Sequence, residues 1–216
     1  MDSKMINIII EALGQTIYMV FFSTLFASVL GFILGVVVTV TSPTGLRPNI
    51  IIYKFLDVVI NVLRSFPFII LIVFIIPLTR AIVGTPIGET AAIVPLTIAA
   101  APFVARIIES ALKEVDPGVI EAAKSFGASN FQIIFKVMLK EAVPAIISGL
   151  TLTIINIIGY SAMAGSVGAG GLGKVAISYG YQRYQTNVMI VTVVILIIMV
   201  QGLQSLGNYL YKKLSW

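Results

Sequence analysis

The chain has 216 residues, of which 58% are hydrophobic and 11% are charged, and its net charge is +5. Soluble domains carry about 25% charged residues, so this composition excludes a soluble globular protein and predicts an integral membrane protein. Disorder is excluded because disordered chains are poor in apolar residues. The sequence contains no Cys and no His, which removes disulfides, nearly every zinc site and the catalytic sets that depend on these residues. We explain the positive charge by loops at a membrane, not by a nucleic-acid partner.

Five apolar stretches are candidates for membrane-spanning helices, each of which needs about 20 mostly apolar residues. They cover about 17–40, 57–79, 90–108, 145–164 and 188–206. Pro67 is expected to kink the second span. Asp57 and Arg64 lie seven residues apart, on one face of a helix, and are expected to pair. Because the second and third stretches are short, a re-entrant hairpin is the alternative to two full spans. The predicted fold class is an all-α integral membrane protein with one domain over 1–216.

Lys and Arg residues are divided unequally between the two ends of these spans. One end collects Arg47, Lys54, Arg64, Arg106, Lys113, Lys124, Lys136, Lys140, Lys212 and Lys213, and the other collects Lys4, Arg80, Lys174 and Arg183. Positive residues accumulate on the cytoplasmic side, so we expect the N-terminus outside and the C-terminus in the cytoplasm. Tyr209, Tyr211 and Trp216 fit an aromatic belt at the inner face.

The segment 109–144 is long for a connection between spans and has helix signals of its own. Asp116-Pro117 is typical of an N-cap followed by proline in the first turn. A short helix over Val119–Phe126 is then expected to end at Gly127.

A second helix is predicted directly after this glycine. Ser129 and Gln132 have the spacing of a capping box, the helix is expected to run to about Glu141, and Pro144 to begin the fourth span. Both helices carry more apolar side chains than they can bury between themselves. The pattern therefore indicates either an amphipathic hairpin on the membrane surface or a projection that fits a groove on a cytoplasmic partner.

One short motif in this segment resembles a known family. Glu121-Ala122-Ala123 followed by Gly127 and Leu139 is similar to the EAA signature of the permease subunits of bacterial ATP-binding-cassette importers. Val137 stands where that signature has Ile, and Lys140 stands where it has Pro. Further along the chain, 158–165, 168–173 and 179–184 resemble the methionine-importer permease family in particular.

The resemblance implies a function, partners and site residues. It implies a permease subunit in the bacterial cell membrane, working as a homodimer, for amino-acid uptake with methionine as the expected solute. A cytoplasmic dimer of ATP-binding subunits would hold ATP and Mg, an extracytoplasmic solute-binding protein would deliver the solute, and this chain would carry no cofactor and no catalytic residue. The residues expected to couple it to the ATPase are Glu121, Ala122, Ala123, Lys124, Phe126, Gly127, Ala128 and Leu139.

Polar and flexible side chains near the end of the fourth span are candidates for the solute pathway or gate. These are Tyr160, Ser161 and Met163, with ordinary packing as the alternative. Gly31 and Gly35 form a small-residue motif that is expected to pack within the chain, with a subunit interface as the alternative.

A glycine-rich stretch over 168–174 matches part of a phosphate-binding loop, but Val175 stands where that loop needs Ser or Thr. We expect a flexible loop near the outer gate instead. A self-contained secondary transporter or channel is the alternative function, and the absence of charge from the centres of spans one, four and five counts against it. No catalytic set for a membrane enzyme is found.

Overall fold

The computed structural model describes residues 3–215, and within that range the chain is helical and has no strand. Trp216, part of the expected aromatic belt, lies outside the described residues. The helices are α1 (Ser3–Thr41), α2 (Ile50–Arg64), α3 (Phe68–Phe74), α4 (Ile76–Val83), α5 (Glu89–Lys113), α6 (Pro117–Ser125), α7 (Asn130–Gln132), α8 (Leu139–Ser166), α9 (Gly171–Val175) and α10 (Thr186–Leu214). Among these residues, four helices are long and apolar enough to cross a membrane, and five if a bent pair counts as one span.

The central helix of the bundle is α5. In its most apolar 18-residue stretch 72% of the residues are buried, against 11% for α10. Helix α1 packs closely against α5 at Gly31 and Gly35. A Cβ on Gly31 would lie 2.5 Å from the Cβ of Val104, and a Cβ on Gly35 would lie 2.6 Å from the carbonyl oxygen of Ala105. The expected packing of this glycine pair within the chain is therefore confirmed.

The second expected span, 57–79, is not one straight helix. It is replaced by α2 and α3, which meet at an angle of 105°. Pro67 lies at the start of α3 with φ −61°, so the expected kink at this proline is confirmed and is sharper than a bend within one span. Proline has no N–H to continue the ladder of the preceding helix, which allows the chain to turn here.

The expected pair of Asp57 and Arg64 is wrong. Asp57 instead forms an ion pair with Arg106 of α5 at 2.7 Å, while the guanidinium of Arg64 lies over the ring of Phe103 at 5.1 Å. Both partners come from α5, so Asp57 and Arg64 each make a contact between helices.

The second helix of the 109–144 segment does not end at Glu141, and that boundary is corrected. Helix runs without a break over Asn130–Ser166, with a wider π turn at Ile133–Met138, and Pro144 lies inside α8. Membrane helices tolerate proline because neighbouring groups and local widening satisfy the freed backbone.

The glycine-rich stretch is packed, which differs from the flexible loop expected from its composition. Gly171, Leu172 and Gly173 are buried. Their backbone is held by α1: the N–H of Gly171 donates to Oε1 of Gln15 at 2.8 Å, and the N–H of Leu172 donates to Oγ1 of Thr16 at 2.9 Å.

Candidate functional site

The helix α6 projects from one end of the bundle, and none of its residues is buried. Its start is fixed by Asp116, whose side chain accepts from the N–H of Gly118 at 2.7 Å. Its end is fixed by Gly127, which has φ +77° and donates to the carbonyl of Lys124 at 2.9 Å. Only glycine enters this left-handed conformation without strain, so the sharp turn out of α6 depends on Gly127.

The chain then re-enters a helix at once. The hydroxyl of Ser129 accepts from the N–H of Gln132 at 3.3 Å, and the N–H of Ser129 donates to the side chain of Gln132 at 2.8 Å. This is the predicted capping box, and it is confirmed, as is the N-cap at Asp116.

The eight residues expected to contact an ATPase divide into an outer and an inner group. Ala123, Ala128 and Leu139 are partly buried and pack against the apolar cluster that α5 and the π turn form. The outer group is exposed and consists of Glu121, Ala122, Lys124, Phe126 and Gly127. The segment is thus anchored on one side and free on the other.

Two phenylalanines dominate the free side. Phe126 is 91% exposed and Phe131 is 67% exposed, and the ring of Phe131 lies 4.4 Å from that of Phe135. Phe131 is not among the expected coupling residues, although its place two residues after the N-cap Ser129 could have indicated an exposed position. Large exposed apolar groups at the polar end of a membrane protein mark an interaction surface.

A cavity of about 310 Å³ lies between α6 and the chain that follows α1. Glu121 and Lys124 line it from α6, Leu46 lines it from the opposite side, and Met138 lies in its wall. The carboxylate of Glu121 therefore has open space beside it, and α6 is not packed tightly against the bundle along this side.

The structure does not bring the three expected pathway residues onto one surface. The ring of Tyr160 stacks on that of Phe68 with centroids 4.7 Å apart. Ser161 is buried and donates to the carbonyl of Ile158 at 2.7 Å, which is ordinary helix back-bonding. Met163 is 50% exposed and alone lies on the free face of α8.

That free face continues along α8 as a stripe with helical spacing. We call it the α8 stripe; its exposed members are Leu152, Asn156, Gly159, Met163 and Ser166. An amide side chain such as that of Asn156 is costly against lipid, so the stripe indicates contact with protein or water. Its signal in the sequence was the spacing of three and four residues, which sequence analysis missed.

A network of charges joins α2 to α5 near the same end as α6. Arg106 contacts Asp57 at 2.7 Å and Glu109 at 2.5 Å, and Glu109 also contacts Lys113 at 2.7 Å. Glu109 is only 2% exposed. The spacing of three and four residues within α5 could have indicated the contacts along this helix, but the contact with Asp57 spans 49 residues of sequence and has no local signal.

The helical bundle with its apolar spans and its exposed helix α6 is that of a helical membrane transport protein. The profile of the family described as "Binding-protein-dependent transport system inner membrane component" matches residues 27–215, and the chain belongs to this family.

Named relatives cover nearly all of the chain. It is 51% identical to the probable D-methionine transport system permease protein MetI of Vibrio cholerae, over 97% of this chain and 93% of that protein. It is 46% identical to the D-methionine transport system permease protein MetI of Escherichia coli K12, over 76% of each.

Solved structures give the same result for the fold. The chain matches one from the inward-facing MetNI methionine ABC transporter with a TM-score of 0.97 and 44% identity over 100% of both chains. A chain of an amino acid ABC transporter crystallised with histidines matches with a TM-score of 0.80 and 22% identity, over 97% of this chain and 95% of that one; at that identity the likeness is one of fold alone.

Proposed function

We propose that this chain forms, as a homodimer, the solute pathway of an ATP-binding-cassette importer for methionine. Its family is that of inner-membrane permease components, which fixes the class of transport. The solute is inferred from the D-methionine permeases of Vibrio cholerae and Escherichia coli, to which the chain is 51% and 46% identical. ATP and Mg would be bound by a separate ATPase subunit and not by this chain.

The observation that carries the proposal is the exposed helix α6 with its EAA motif. Phe126, 91% exposed at the turn that Gly127 makes, would be the main apolar contact with the ATPase. Glu121 and Lys124 would supply charges at the rim, and Ala122 would allow close approach. Ala123, Ala128 and Leu139 would transmit movement of α6 to the bundle, since they pack against it.

The orientation follows from the charges. The end that carries α6 also carries Lys113, Lys124 and Lys136, so we place it in the cytoplasm and the N-terminus outside. The binding protein would then dock at the end where α9 lies. In this arrangement the five spans lie within α1, the bent α2–α3 pair, α5, α8 and α10, and 109–144 is the coupling segment.

The α8 stripe would face the second copy of the chain and line the pathway between them. Met163 would contact the solute or close the gate, because its flexible thioether can repack. Tyr160 would line the pathway beside it, backed by Phe68. Ser161 would support this surface by packing and would not contact the solute, since its hydroxyl already donates to the carbonyl of Ile158.

The test compares two exposed phenylalanines with different surroundings. Phe126→Ala should reduce recovery of the ATPase with the tagged chain from native membranes and lower ATP-driven methionine uptake in liposomes, because truncation of an exposed anchor costs about 2 kcal/mol of binding or more. Phe55→Ala, on the apolar face of α2, should change neither. Methionine uptake by the chain alone without ATP would favour the secondary transporter and overturn the proposal.

A further inference from the structure

Arg64 is an exposed cation in the last turn of α2. Its guanidinium lies 5.1 Å from the ring centre of Phe103, and Phe103 is ten residues before the end of α5, which is about 15 Å along a helix. The ion pairs found among residues 3–215 do not include Arg64. Its charge is therefore available to an anionic ligand.

Arg64 also borders a cavity of about 360 Å³ between the end of α2, α5 and α8. Phe103, Ile107 and Leu152 give it apolar walls, and Asn156 adds an amide. Sites for small molecules have this composition, with mostly apolar walls and a few polar groups that fix orientation.

The net charge in this part of the cavity comes from Arg64. Arg106 borders the cavity too, but Asp57 and Glu109 neutralise it. The acid on the cavity wall is Glu114, which follows the end of α5, and the ion pairs found among residues 3–215 do not join it to Arg64.

Two of the wall residues, Leu152 and Asn156, also belong to the α8 stripe. The cavity is therefore continuous with the surface that we assign to the solute pathway, on its cytoplasmic side. A guanidinium presents paired N–H donors that match a carboxylate, and an amide oxygen accepts from an ammonium group.

We propose that this cavity is a station for the solute on the cytoplasmic side of the pathway, with Arg64 binding its carboxylate. Asn156 accepts from the α-ammonium group, and Phe103, Ile107 and Leu152 contact the apolar side chain. This proposal rests on the proposed function, because it requires an amino acid as the transported solute. It gives a role to an arginine that pairs with no acid among residues 3–215 and that lies beside an aromatic ring.

The direct test uses the absence of cysteine from the chain. Ser110→Cys, at another residue of the cavity wall, provides a single thiol in the permease, whose rate of modification by a water-soluble thiol reagent is measured in the complex with the ATPase, without ATP. Methionine should slow the modification, and methioninamide, which lacks the carboxylate, should be about tenfold less effective, the size of one lost charge-assisted hydrogen bond. Adding Arg64→Gln should remove the difference between the two compounds.

A transport assay provides the second readout. Arg64→Gln should lower ATP-driven methionine uptake about tenfold while the ATPase still co-purifies, and Arg64→Lys should restore part of it. Arg80→Gln, an exposed arginine on α4, is the matched control and should transport normally.

Equal protection by methionine and methioninamide, or protection that survives Arg64→Gln, would overturn the station. Failure of the proposed function would look different, because the unmodified complex would then not take up methionine with ATP at all.

Discussion

Arg106 and Asp57 connect the central helix to the bent peripheral pair through an ion pair of 2.7 Å. A second hydrogen bond, from the same guanidinium to Oδ1 of Asn61 at 2.9 Å, holds the arginine to α2 on two successive turns. The chain bends by 105° between α2 and α3. The contacts of Arg106 therefore fix the position of this bent pair relative to α5.

The charge network predicts a graded effect of removing its acids. Glu109→Ala should cost about 2–4 kcal/mol, because Arg106 loses a charge-assisted hydrogen bond worth about 1.5–3 kcal/mol and the more exposed Lys113 loses an ion pair worth about 0.5–1 kcal/mol. Asp57→Ala should cost about 1.5–3 kcal/mol, because its carboxylate is partly exposed and Arg106 keeps Glu109.

The measurement is the denaturation midpoint of the detergent-solubilised chain. Glu11→Ala, an exposed acid on α1 outside the network, is the control and should leave the midpoint unchanged. Equal effects of the two network variants would contradict the central place of Glu109.

The close approach of α1 and α5 predicts that Gly31 cannot be enlarged. A Cβ there would meet the Cβ of Val104 and, at 2.6 Å, the carbonyl of Ala101, and a backbone atom cannot move aside. Gly31→Leu should therefore destabilise the bundle by about 1–3 kcal/mol or more and lower the yield of folded chain from membranes. Gly14→Leu on the same helix has open space, and a similar loss of yield there would remove the explanation by packing.

Much of the fold can be predicted because a segment that spans lipid must form all its backbone hydrogen bonds internally. A long apolar stretch of sequence therefore predicts a helix directly. That is why the stretches at 17–40, 90–108 and 188–206 fall within α1, α5 and α10. The caps around α6 were predictable for a similar reason: Asp116, and Ser129 with Gln132, satisfy N–H groups within a few residues of themselves.

The parts that sequence could not supply depend on groups far apart in the chain. Asp57 was assigned to Arg64 by spacing along one helix, but Arg106 from another helix reaches it. Pro67 predicted a break in the helix. The direction in which the chain turns from α2 into α3 could not be predicted, because an apolar sequence does not specify the direction of a turn. Glycine content at 170–173 predicted flexibility, but the segment is buried and hydrogen-bonded to Gln15 and Thr16, 156 residues away.

The contact of Thr16 with Leu172 predicts a difference between two buried threonines. Thr16→Val would leave the buried N–H of Leu172 without its acceptor and should cost about 1–3 kcal/mol. Thr192→Val should cost less, because the hydroxyl of Thr192 bonds only back to Val188 in its own helix.

Thermal denaturation of both variants measures this difference. Thiol modification of Ala169→Cys in each background reports whether the glycine-rich segment has loosened. Faster modification with Thr16→Val alone is expected, and equal rates in the two backgrounds would contradict the anchoring role of Thr16.

A substitution at Gly127 tests backbone strain without a steric clash. Its φ is +77°, and a Cβ added there would meet no other atom within 4 Å. Valine in this conformation costs about 1–2 kcal/mol from backbone strain alone, so Gly127→Val should reorient the turn between α6 and α7 and move Phe126. We expect the variant to insert in the membrane normally but to lose ATP-driven uptake and its stimulation of the ATPase. Gly202→Val on α10, also without a neighbour and in ordinary helix, should transport like the unmodified chain. If Gly127→Val retained full uptake and ATPase stimulation, the turn would not position the coupling surface, and the exposed face of α6 would have to engage its partner without a fixed geometry.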